Sequence, residues 1–379
     1  LTAATDGGKV VECHFDGAVT GKNNVGGLIG SNRVDITSCS TAGSVTGYSQ
    51  VGGLVGYAHP GKIAACCSTA AVSGTGEATG GLVGKNASST IESCWASGDV
   101  GGSSYVGGFA GSPRGAVTHC WASGTVQGHT YVGGFAGIGS DSIRFSYSVG
   151  KVSGDENVGG FTPGGLPYLC YWDVQTSGIA TGSGRGRTTA QMKSKTTFPG
   201  WGYGGKWVIA DGLDYPRLVW ENTGGNLFVD LPRTYVGGIG SKDDLYRIDT
   251  VEQFLEIGCY RDDFAKHFLL TNDLNFDAVN TNEFIPITID GSFNGGGHRI
   301  LGFRYMTIGS YRVGFFSTIG YNGSVRDLHL VDAEASGTRD VGILVGYNLG
   351  QIRDCSVTGV VEGNSNIGGV VGCNAGCVE

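Results

Sequence analysis

The sequence predicts an all-β fold, a parallel β-solenoid (β-helix) with one coil per 26–28-residue repeat and short helical caps. Three observations carry this prediction. A glycine-rich phrase recurs at a fixed spacing, the stretches between its copies are short and rich in β-branched residues, and glycine is abundant while proline is scarce, at 71 and 8 of 379 residues. A fixed period of this length is the signature of stacked repeat units, which usually form surfaces or rods.

The recurring phrase reads Val-Gly-Gly-Leu or Val-Gly-Gly-Phe in nearly every copy. Successive copies in the first half lie 26, 28, 27, 26 and 26 residues apart, since their first glycines are Gly26, Gly52, Gly80, Gly107, Gly133 and Gly159. A second signature precedes the phrase, as in Ile91-Glu-Ser-Cys94 followed by Gly98-Asp-Val100. Each repeat thus contains three short stretches without helical periodicity, which we interpret as strands separated by glycine corners.

The glycine pair has a geometric consequence. Val25 and Leu28 are three residues apart, so a flat strand would direct them to opposite faces. Both reach the core only if Gly26-Gly27 forms a corner or a bulge, which we expect in every copy. At ~4.8 Å per coil, six coils would extend about 30 Å.

Composition excludes several classes of partner. The formal charge of −8 argues against nucleic acid or an anionic membrane surface, and no apolar run is long enough to span a bilayer. The chain opens with Leu1 and shows no signal peptide, so we expect a processed product or a segment of a longer protein. Its 11 cysteines leave at least one thiol unpaired or bonded to another chain.

The repeats also predict how the chain is divided. Solenoid coils with an open N-terminal end occupy 1–169, and a closing cap rich in aromatic residues follows at 170–221. The stretch 222–244 is interpreted as a linker because it contains paired glycines and a proline. A second solenoid occupies 245–379, with an N-terminal cap helix at about 250–258 and an open C-terminal end.

These residues resemble the GLUG repeat, named for its Gly-Leu-hydrophobic-Gly core, which occurs in large bacterial surface and secreted proteins. The segment from Cys170-Tyr-Trp-Asp to Tyr215-Pro-Arg-Leu-Val-Trp220 is similar to the segment that closes such repeats. The segment from Tyr246-Arg-Ile to Gly297-His-Arg-Ile300 is similar to the one that opens them. The resemblance implies a solenoid at the cell surface or outside the cell, and it brings no catalytic residues. Here, however, the closing segment precedes the opening one.

That order suggests head-to-tail assembly. Residues 245–379 of one copy followed by 1–221 of another would form a solenoid with both caps. We expect β-augmentation between copies and a homopolymer, either a filament or a surface stalk, whose junction contains Val10, Val11, Cys13, Val371, Cys373 and Cys377. The alternative is a segment of one long polypeptide, such as a cell-surface adhesin that binds glycans.

The cysteines form a column in this interpretation. Cys13, Cys39, Cys67, Cys94 and Cys120 recur at one repeat position, and Tyr147 takes the sixth place. We interpret the column as small buried apolar groups, because no Cys-x-x-Cys pair with zinc spacing supports a metal site. Cys373 and Cys377 lie outside it and are the better candidates for a disulfide, including one between chains.

Other motifs favour structural explanations. Trp95 and Trp121 hold the same place in adjacent coils and should stack, as packing residues or, as the alternative, as a pair that binds sugar rings. Asp243-Asp244 and Asp262-Asp263 lack the ligand spacing of a calcium loop and are interpreted as solvated charge. The loop Gly182–Arg187 lacks the ending of a phosphate loop. Asn86 and Asn322 begin formal glycosylation sequons.

Three functions remain to be compared, and an extracellular structural role is favoured. A carbohydrate-active β-helix enzyme needs carboxylates that converge on one groove, but Glu12, Asp35, Glu92, Asp99 and Asp141 fall at different places in the coil. An ice-binding surface needs a regular Thr or Ser array, but the relevant column reads Thr20, Thr46, Ser73, Gly101, Gln127, Ser153. We therefore expect no enzyme activity, no cofactor and no bound metal.

Overall fold

The computed structural model describes residues 8–140, 142–229, 232–279, 284, 287–307 and 310–379. The chain divides into two compact units, Leu1–Asp230 and Leu231–Glu379. In the described residues both units consist mainly of short strands that pair in parallel with strands of the next repeat. The predicted parallel β-solenoid is therefore confirmed. None of the described helices is both long and apolar enough to cross a bilayer.

The register of the strands shows that one repeat forms one coil. Val25 pairs with Val51, which pairs with Thr79, and the pairing continues through Val106 and Val132 to Val158. These steps equal the spacing of the glycine phrase, so each residue stacks on its counterpart 26–28 positions later.

Four parallel sheets build the coils of the first unit; sheets 1, 3 and 4 take one strand from a coil, whereas most coils give sheet 2 two short strands. Sheet 1 contains Lys9–Val11, Asp35–Thr37, Lys62–Ala64, Thr90–Glu92, Val117–Thr118 and Ile143–Arg144. Sheet 2 contains His14–Thr20, Ser40–Gly47, Cys67–Ser68, Ala71–Gly74, Trp95–Ala96, Val100–Gly101, Trp121–Ala122, Val126–Gln127, Tyr147–Ser148, Val152–Ser153, Tyr171–Asp173 and Arg185–Arg187. Sheet 3 contains Asn23–Gly26, Ser49–Gly52, Glu77–Gly80, Ser104–Gly107, Thr130–Gly133 and Glu156–Gly159. Sheet 4 contains Ile29–Asn32, Val55–Ala58, Val83–Asn86 and Ala110–Pro113.

The glycine pair forms the expected corner, and it also divides the third predicted strand in two. Asn23–Gly26 belongs to sheet 3 and Ile29–Asn32 to sheet 4, with a bend between them. Val25 and Leu28 are both buried, at 5% and 2% exposure. A Cβ at Gly27 would overlap the carbonyl oxygen of Gly53 in the next coil, so this corner requires glycine for the coils to approach each other.

A second regular feature is left-handed backbone at residues other than glycine. The residue before the cysteine position has φ near +50°, as at Ala65 (50°) and His119 (53°). The residue before the phrase valine does the same, as at Ala78 (62°) and Tyr105 (53°). The αL conformation costs a residue with a Cβ about 1–2 kcal/mol. Each coil therefore contains two strained corners that its neighbours hold in place.

The core of the first unit forms two rows. One row contains Leu28, Ile36, Cys39 and their equivalents, and it ends at Phe161, Cys170 and Trp172. The other contains the phrase valines, from Val25 to Val132, packed against the Gly-x-Val valines. Phe109, Phe135 and Phe161 stack with ring centroids 4.7 Å apart. Stacking along the coil axis therefore fills the interior with like residues.

The cap of the first unit extends sheet 2 and then covers its outer face. Strands Tyr171–Asp173 and Arg185–Arg187 add to the sheet beyond Tyr147. They are followed by an antiparallel sheet of Trp207–Ile209, Arg217–Leu218 and Asn226–Leu227. Its helices are α1 (Val174–Ser177), α2 (Thr189–Met192) and 3₁₀ turns at Lys195–Thr197, Tyr203–Gly205 and Val219–Glu221.

The boundary between the two compact units, at Asp230 and Leu231, falls within the predicted linker 222–244. Asn226–Leu227 pairs with the cap strand Trp207–Ile209, and Phe228 is buried at 2% exposure. From residue 232 onward the stretch packs in the second unit, where Tyr235 is buried and its hydroxyl donates to Asp263 at 2.7 Å. Glycine and proline thus mark turns inside two packed regions and do not mark a free connection.

The second unit repeats the coil design behind an N-terminal cap. Its sheet 5 contains Tyr246–Ile248, His267–Leu270, Ser292–Asn294, Ser324–Arg326, Gln351–Arg353 and Cys377–Val378, and its sheet 6 contains Leu274–Asn275, Arg299–Leu301, Arg304–Met306, His329–Ser336 and Ser356–Glu362. Sheet 7 contains Ile287–Ile289, Phe316–Ile319, Val345–Asn348 and Val371–Asn374, and sheet 8 contains Tyr311–Val313, Arg339–Gly342 and Ser365–Gly368. A 3₁₀ turn spans Arg261–Ala265.

The predicted cap helix is present as α3 (Val251–Ile257), between Thr250 and Gly258. The Thr250 hydroxyl accepts a hydrogen bond from the Gln253 backbone N–H at 3.3 Å. The Gln253 side chain accepts from the Asp249 N–H at 2.7 Å, one residue before the partner of an ideal capping box. Phe254 and Ile257 are fully buried, so the helix is held mainly by its apolar face.

Candidate functional site

One candidate site is the edge formed by the last coil of the second unit. Within the described residues, Ser356–Glu362 pairs only with His329–Ser336, so its other side carries unpaired backbone groups. Apolar side chains are exposed along this edge, including Val360 at 56%, Val378 at 48% and Ile367 at 39%. An unpaired edge with exposed apolar groups is a template for the addition of another strand.

The first described coil of the first unit offers a matching edge. His14–Thr20 pairs only with Ser40–Gly47 in the described chain, and Val11 is 49% exposed. The first strands of sheets 3 and 4, Asn23–Gly26 and Ile29–Asn32, likewise pair with one strand each in the described chain. Within the part of the chain that the structure describes, all four of these sheets therefore end at this coil.

The two edge strands share one pattern. His14-Phe-Asp-Gly17 and Ser356-Val-Thr-Gly359 both have glycine in the fourth place. The strand that pairs with the first of them, Ser40-Thr-Ala-Gly43, has glycine there as well. A Cβ at Gly43 would overlap the Gly17 carbonyl, and one at Gly359 would overlap the Ala333 carbonyl. His14 binds Ser40 at 2.8 Å and His329 binds Ser356 at 2.9 Å, in each case between imidazole Nδ1 and hydroxyl Oγ. The two edge strands thus share a glycine position, which lies on Gly43 in one case and on Ala333 in the other.

The residues predicted at the junction lie in these edge coils. Val10, Val11 and Cys13 belong to the first coil, and the side chains of Val10 and Cys13 pack against the core row. Val371 and Cys373 lie in the last strand of sheet 7, where Cys373 pairs with Tyr347. Cys377 is exposed and pairs with Gln351 in sheet 5. Both cysteines are free thiols outside the cysteine column.

The cysteine column exists, but two of its predicted members are wrong. The Cys39 N–H donates to the Sγ of Cys66, and the Cys66 N–H donates to the Sγ of Cys94, both at 3.4 Å. The sixth place belongs to Ser146, whose Oγ accepts from the Cys120 N–H at 3.1 Å. The repeat of Cys66 has adjacent cysteines, and the strand register places Cys66 on Cys39 and Cys67 on Ser40. Burial raises the pKa of the Cys94 thiol. The column therefore consists of uncharged thiols that pack in the core.

Cys67 and Tyr147 belong instead to an aromatic row on the outer face of sheet 2. Cys67 pairs with Trp95, Trp95 with Trp121, and Trp121 with Tyr147. The rings of Trp95 and Trp121 stack at 5.0 Å with planes 10° apart, as predicted. Tyr147 lies 6.1 Å from Trp121 on its other side. Trp121 is 4% exposed, which leaves no open ring face on it for a sugar.

The cap binds this row through specific contacts. The Trp121 indole N–H donates to Glu221 Oε1 at 2.9 Å, and the Arg217 guanidinium lies 4.9 Å from the Trp121 ring centroid. The Tyr147 hydroxyl donates to the Pro216 carbonyl at 2.6 Å. Burial raises the pKa of the Glu221 carboxyl. The row therefore acts as the surface on which the cap packs.

A second set of contacts ties the cap to sheet 1. Glu92 accepts from Lys62 at 2.7 Å and from Lys206 of the cap at 2.9 Å. These two ammonium groups lower the Glu92 pKa to about 2. Next to them, burial lowers the pKa of His119 to about 4. At any pH from above 4 to neutral, the Glu92 carboxylate is therefore ionised and the His119 ring is mostly uncharged.

The remaining motifs have structural roles. Asp263, predicted as solvated charge, is 3% exposed in its side chain and forms an ion pair with Arg233 at 2.9 Å. Asp243, Asp244 and Asp262 are exposed. The loop Gly182–Arg187 contains a sheet 2 strand, Arg185–Arg187. Among the described residues, no group of histidines, cysteines and carboxylates could hold a metal ion.

The two sequons differ in accessibility. Asn86 is fully buried, and its amide binds the backbone of Ser89 through both its oxygen and its nitrogen, at 2.8 and 3.0 Å. Asn322 lies on an exposed turn next to Tyr321. Asp141, one of the scattered acidic residues, lies outside the described residues.

Comparison with known proteins finds similarity to parts of two much longer chains. Halomucin of Haloquadratum walsbyi is 31% identical over 156 residues, which cover 38% of this chain and 2% of halomucin. A Gly-rich membrane protein of Evansella cellulosilytica is 35% identical over 141 residues, which cover 32% of this chain and 15% of that protein. This chain thus spans a small part of the relatives it matches. No family model matches it. No solved structure matches it.

Sequence reasoning missed the contacts between the cap and the flank of the coils. Trp220 donates its indole N–H to the Ser93 carbonyl at 2.8 Å, across 127 residues, and Lys206 reaches Glu92. The aromatic residues of the cap indicated a cover, but no periodic pattern connects them to particular coils. The available signal was the outward-facing aromatic row itself, which needs a cover in water.

Proposed function

We propose that this chain is a structural β-solenoid of the cell surface or extracellular space, built from GLUG-type repeats, whose coils continue head-to-tail into those of a neighbouring copy. The matching glycine-containing edge strands His14–Thr20 and Ser356–Glu362 carry the proposal. The surface location is supported by similarity to a Gly-rich membrane protein and to halomucin. The role is proposed to be structural and non-catalytic.

The use of the acidic residues supports a structural role. Asp35 accepts the Lys62 backbone N–H at 2.9 Å, and Asp99 accepts that of Thr125 at 2.9 Å. Glu92 is paired with two lysines. These carboxylates hold neighbouring coils and the cap, and they do not converge on a common groove as hydrolysis of a polysaccharide would need.

Head-to-tail stacking would place Gly17 of one copy on Gly359 of the next. It would also place His14 beside Ser356, so the row of imidazole–hydroxyl hydrogen bonds would continue across the junction. The interface would cover the apolar side chains of Val360 and Val378, which are half exposed in the single chain. A contact that repeats without closing generates a filament.

Negative-stain electron microscopy and sedimentation of the purified chain test this assembly. Val360→Lys and Val378→Lys place a cation on the edge, which should prevent strand addition. Tyr321→Lys is the matched control, because Tyr321 is 81% exposed on a turn outside the edge. We expect filaments for the wild type and for Tyr321→Lys, and monomers for the two edge variants.

Several outcomes would contradict the proposal. A wild-type chain that stays monomeric at high concentration has no head-to-tail contact. Edge variants that assemble like the control would place the contact elsewhere. A denatured mass far above 39.1 kDa for the polypeptide isolated from its source would show that the coils continue within one chain, as in the long relatives.

A further inference from the structure

A groove of about 350 Å³ lies between the coils and the cap of the first unit. The coils contribute Lys62, Glu92 and Ser93 to its lining, and the cap contributes Lys206, Val219 and Trp220. Its volume is at the lower end of the range of small-molecule sites. None of these lining residues belongs to the edge strands His14–Thr20 and Ser356–Glu362, so the groove would stay open to a ligand in an assembled filament.

Polar groups without partners line and adjoin this groove. Ser93 is 8% exposed, and its hydroxyl has no hydrogen-bond partner among the described residues. His119 follows Ser93 in the next coil and is 9% exposed, and both its ring nitrogens also lack partners in the described chain. Buried polar groups are nearly always paired, and an orphan indicates an absent water, ion or ligand.

The charge of the lining favours an anion. Lys62 and Lys206 carry two positive charges and Glu92 one negative charge, so the lining has a net charge of about +1 at neutral pH. Each ammonium has three donors, and the two side chains are 51% and 39% exposed. Both lysines can therefore bind a second carboxylate while they remain paired with Glu92.

The other wall is aromatic and apolar. The indole N–H of Trp220 is fixed on the Ser93 carbonyl at 2.8 Å, and Val219 is 43% exposed at the rim. An amphipathic aromatic ring suits a ligand with an apolar face and polar edges. Indole and ammonium groups together match a sugar ring that carries a carboxylate.

We propose that this groove binds a hexuronate unit of an acidic polysaccharide. The carboxylate would lie between Lys62 and Lys206, and the ring would face Trp220. Neutral sugars would lack the ion pairs. The chain would thereby link a structural rod to an anionic matrix of sugars.

Titration of the chain with tri-galacturonic acid, followed by calorimetry and by the ¹⁵N chemical shifts of the His119 ring, tests this site. Galactotriose is the neutral ligand of equal length. Val219→Glu adds a negative charge at the rim without removing an existing ion pair. Leu213→Glu is its matched control, because Leu213 is 77% exposed in the same cap and does not line the groove.

We expect tri-galacturonic acid to bind and to shift the His119 resonances, and galactotriose to bind much more weakly. Val219→Glu should weaken binding about tenfold, and Leu213→Glu should leave it unchanged. Equal binding of the neutral trisaccharide, no binding at millimolar concentration, or equal effects of the two glutamates would each overturn the proposal. Because the edge variants keep this groove, a failure here and a failure of filament assembly are distinguishable.

Discussion

At the scale of the residue, the solenoid depends on backbone conformations that its side chains do not favour. Ala65 and His119 precede the cysteine position with φ of 50° and 53°. Adjacent coils repeat the same corner, so the strain of one coil is supported by contacts with the next. Residues with a Cβ tolerate this because the strand pairing on both sides fixes the corner.

Replacement of Ala65 should reveal this strain. Ala65→Gly removes the Cβ from a left-handed residue, so we expect the free energy of unfolding to rise by about 0.5–1 kcal/mol after the entropic cost of glycine. Ala65→Val should lower it by more than about 1 kcal/mol, because a β-branched residue is poorly suited to positive φ. Urea unfolding followed by circular dichroism measures both.

Ala64→Gly is the control for the Ala65 variants. Ala64 lies in the strand Lys62–Ala64, where glycine should destabilise by about 0.5–1 kcal/mol. If glycine destabilised equally at positions 64 and 65, the left-handed corner would not be a source of strain.

At the scale of the element, the cap depends on charges that respond to pH. His119 is buried between Phe145, whose ring lies 5.2 Å away, and the Glu92–Lys206 pair. Its folded pKa of about 4 lies below the unfolded value of 6.5. The unfolded state therefore binds more protons between these values, and stability must fall as the pH falls from 6.5 to 4.

His119→Phe should remove this dependence. For the wild type, His119 contributes a loss of roughly 3 kcal/mol between pH 7 and pH 4, and the variant should lack that part because phenylalanine does not titrate. Glu92 acts in a lower window, since its pKa of about 2 means that its stabilising charge is lost only as pH falls below about 4.5. Denaturant unfolding at pH 7, 5.5 and 4 separates the two.

A His119→Phe variant with an unchanged slope would mean that other groups cause the acid sensitivity.

At the scale of the whole molecule, protection from hydrogen exchange should depend on position in the stack. Strands such as Thr90–Glu92 have a neighbour on each side, whereas the edge strands His14–Thr20 and Ser356–Glu362 have one among the described strands. We expect amide exchange in the isolated chain to be on the order of 100-fold faster in the edge strands. Mass spectrometry of peptides from each coil measures this gradient.

The gradient also reports assembly. Edge strands that become as protected as central ones at high concentration, in step with filament growth, would show that they form the junction. Uniform protection in a monomeric sample would contradict the stacking order described above.

The coils were predictable from the sequence because their interactions repeat at the period of the chain. The spacing of Gly26 and its equivalents predicted the register, and Val25 with Leu28 predicted the corner. Cys67 was misplaced because two cysteines adjoin in the longest repeat. Within the predicted linker, the pairing of Asn226–Leu227 with Trp207–Ile209 could not be predicted, because it occurs once and follows no period.

The binding groove was beyond sequence reasoning for a related reason. Its lining includes Ser93 of a coil and Trp220 of the cap, which are hydrogen-bonded to each other. No periodic pattern in the sequence predicts that contact. Trp95 and Trp121 were predicted to stack because they recur at one repeat position, and they do stack, but cap residues contact Trp121. In this chain, repetition predicts what is interior and uniform, while the unique surfaces arise between distant segments.

The common register of the coils has a consequence for evolution of length. Since successive coils pair in one register, as Val51 does with Val25 and with Thr79, duplication or loss of one 26–28-residue repeat would leave the neighbouring coils able to pair with each other. Each such event would change the reach of the protein by about 4.8 Å. Length in this architecture can therefore vary in whole steps by unequal recombination, while cap and edge chemistry stay under separate selection.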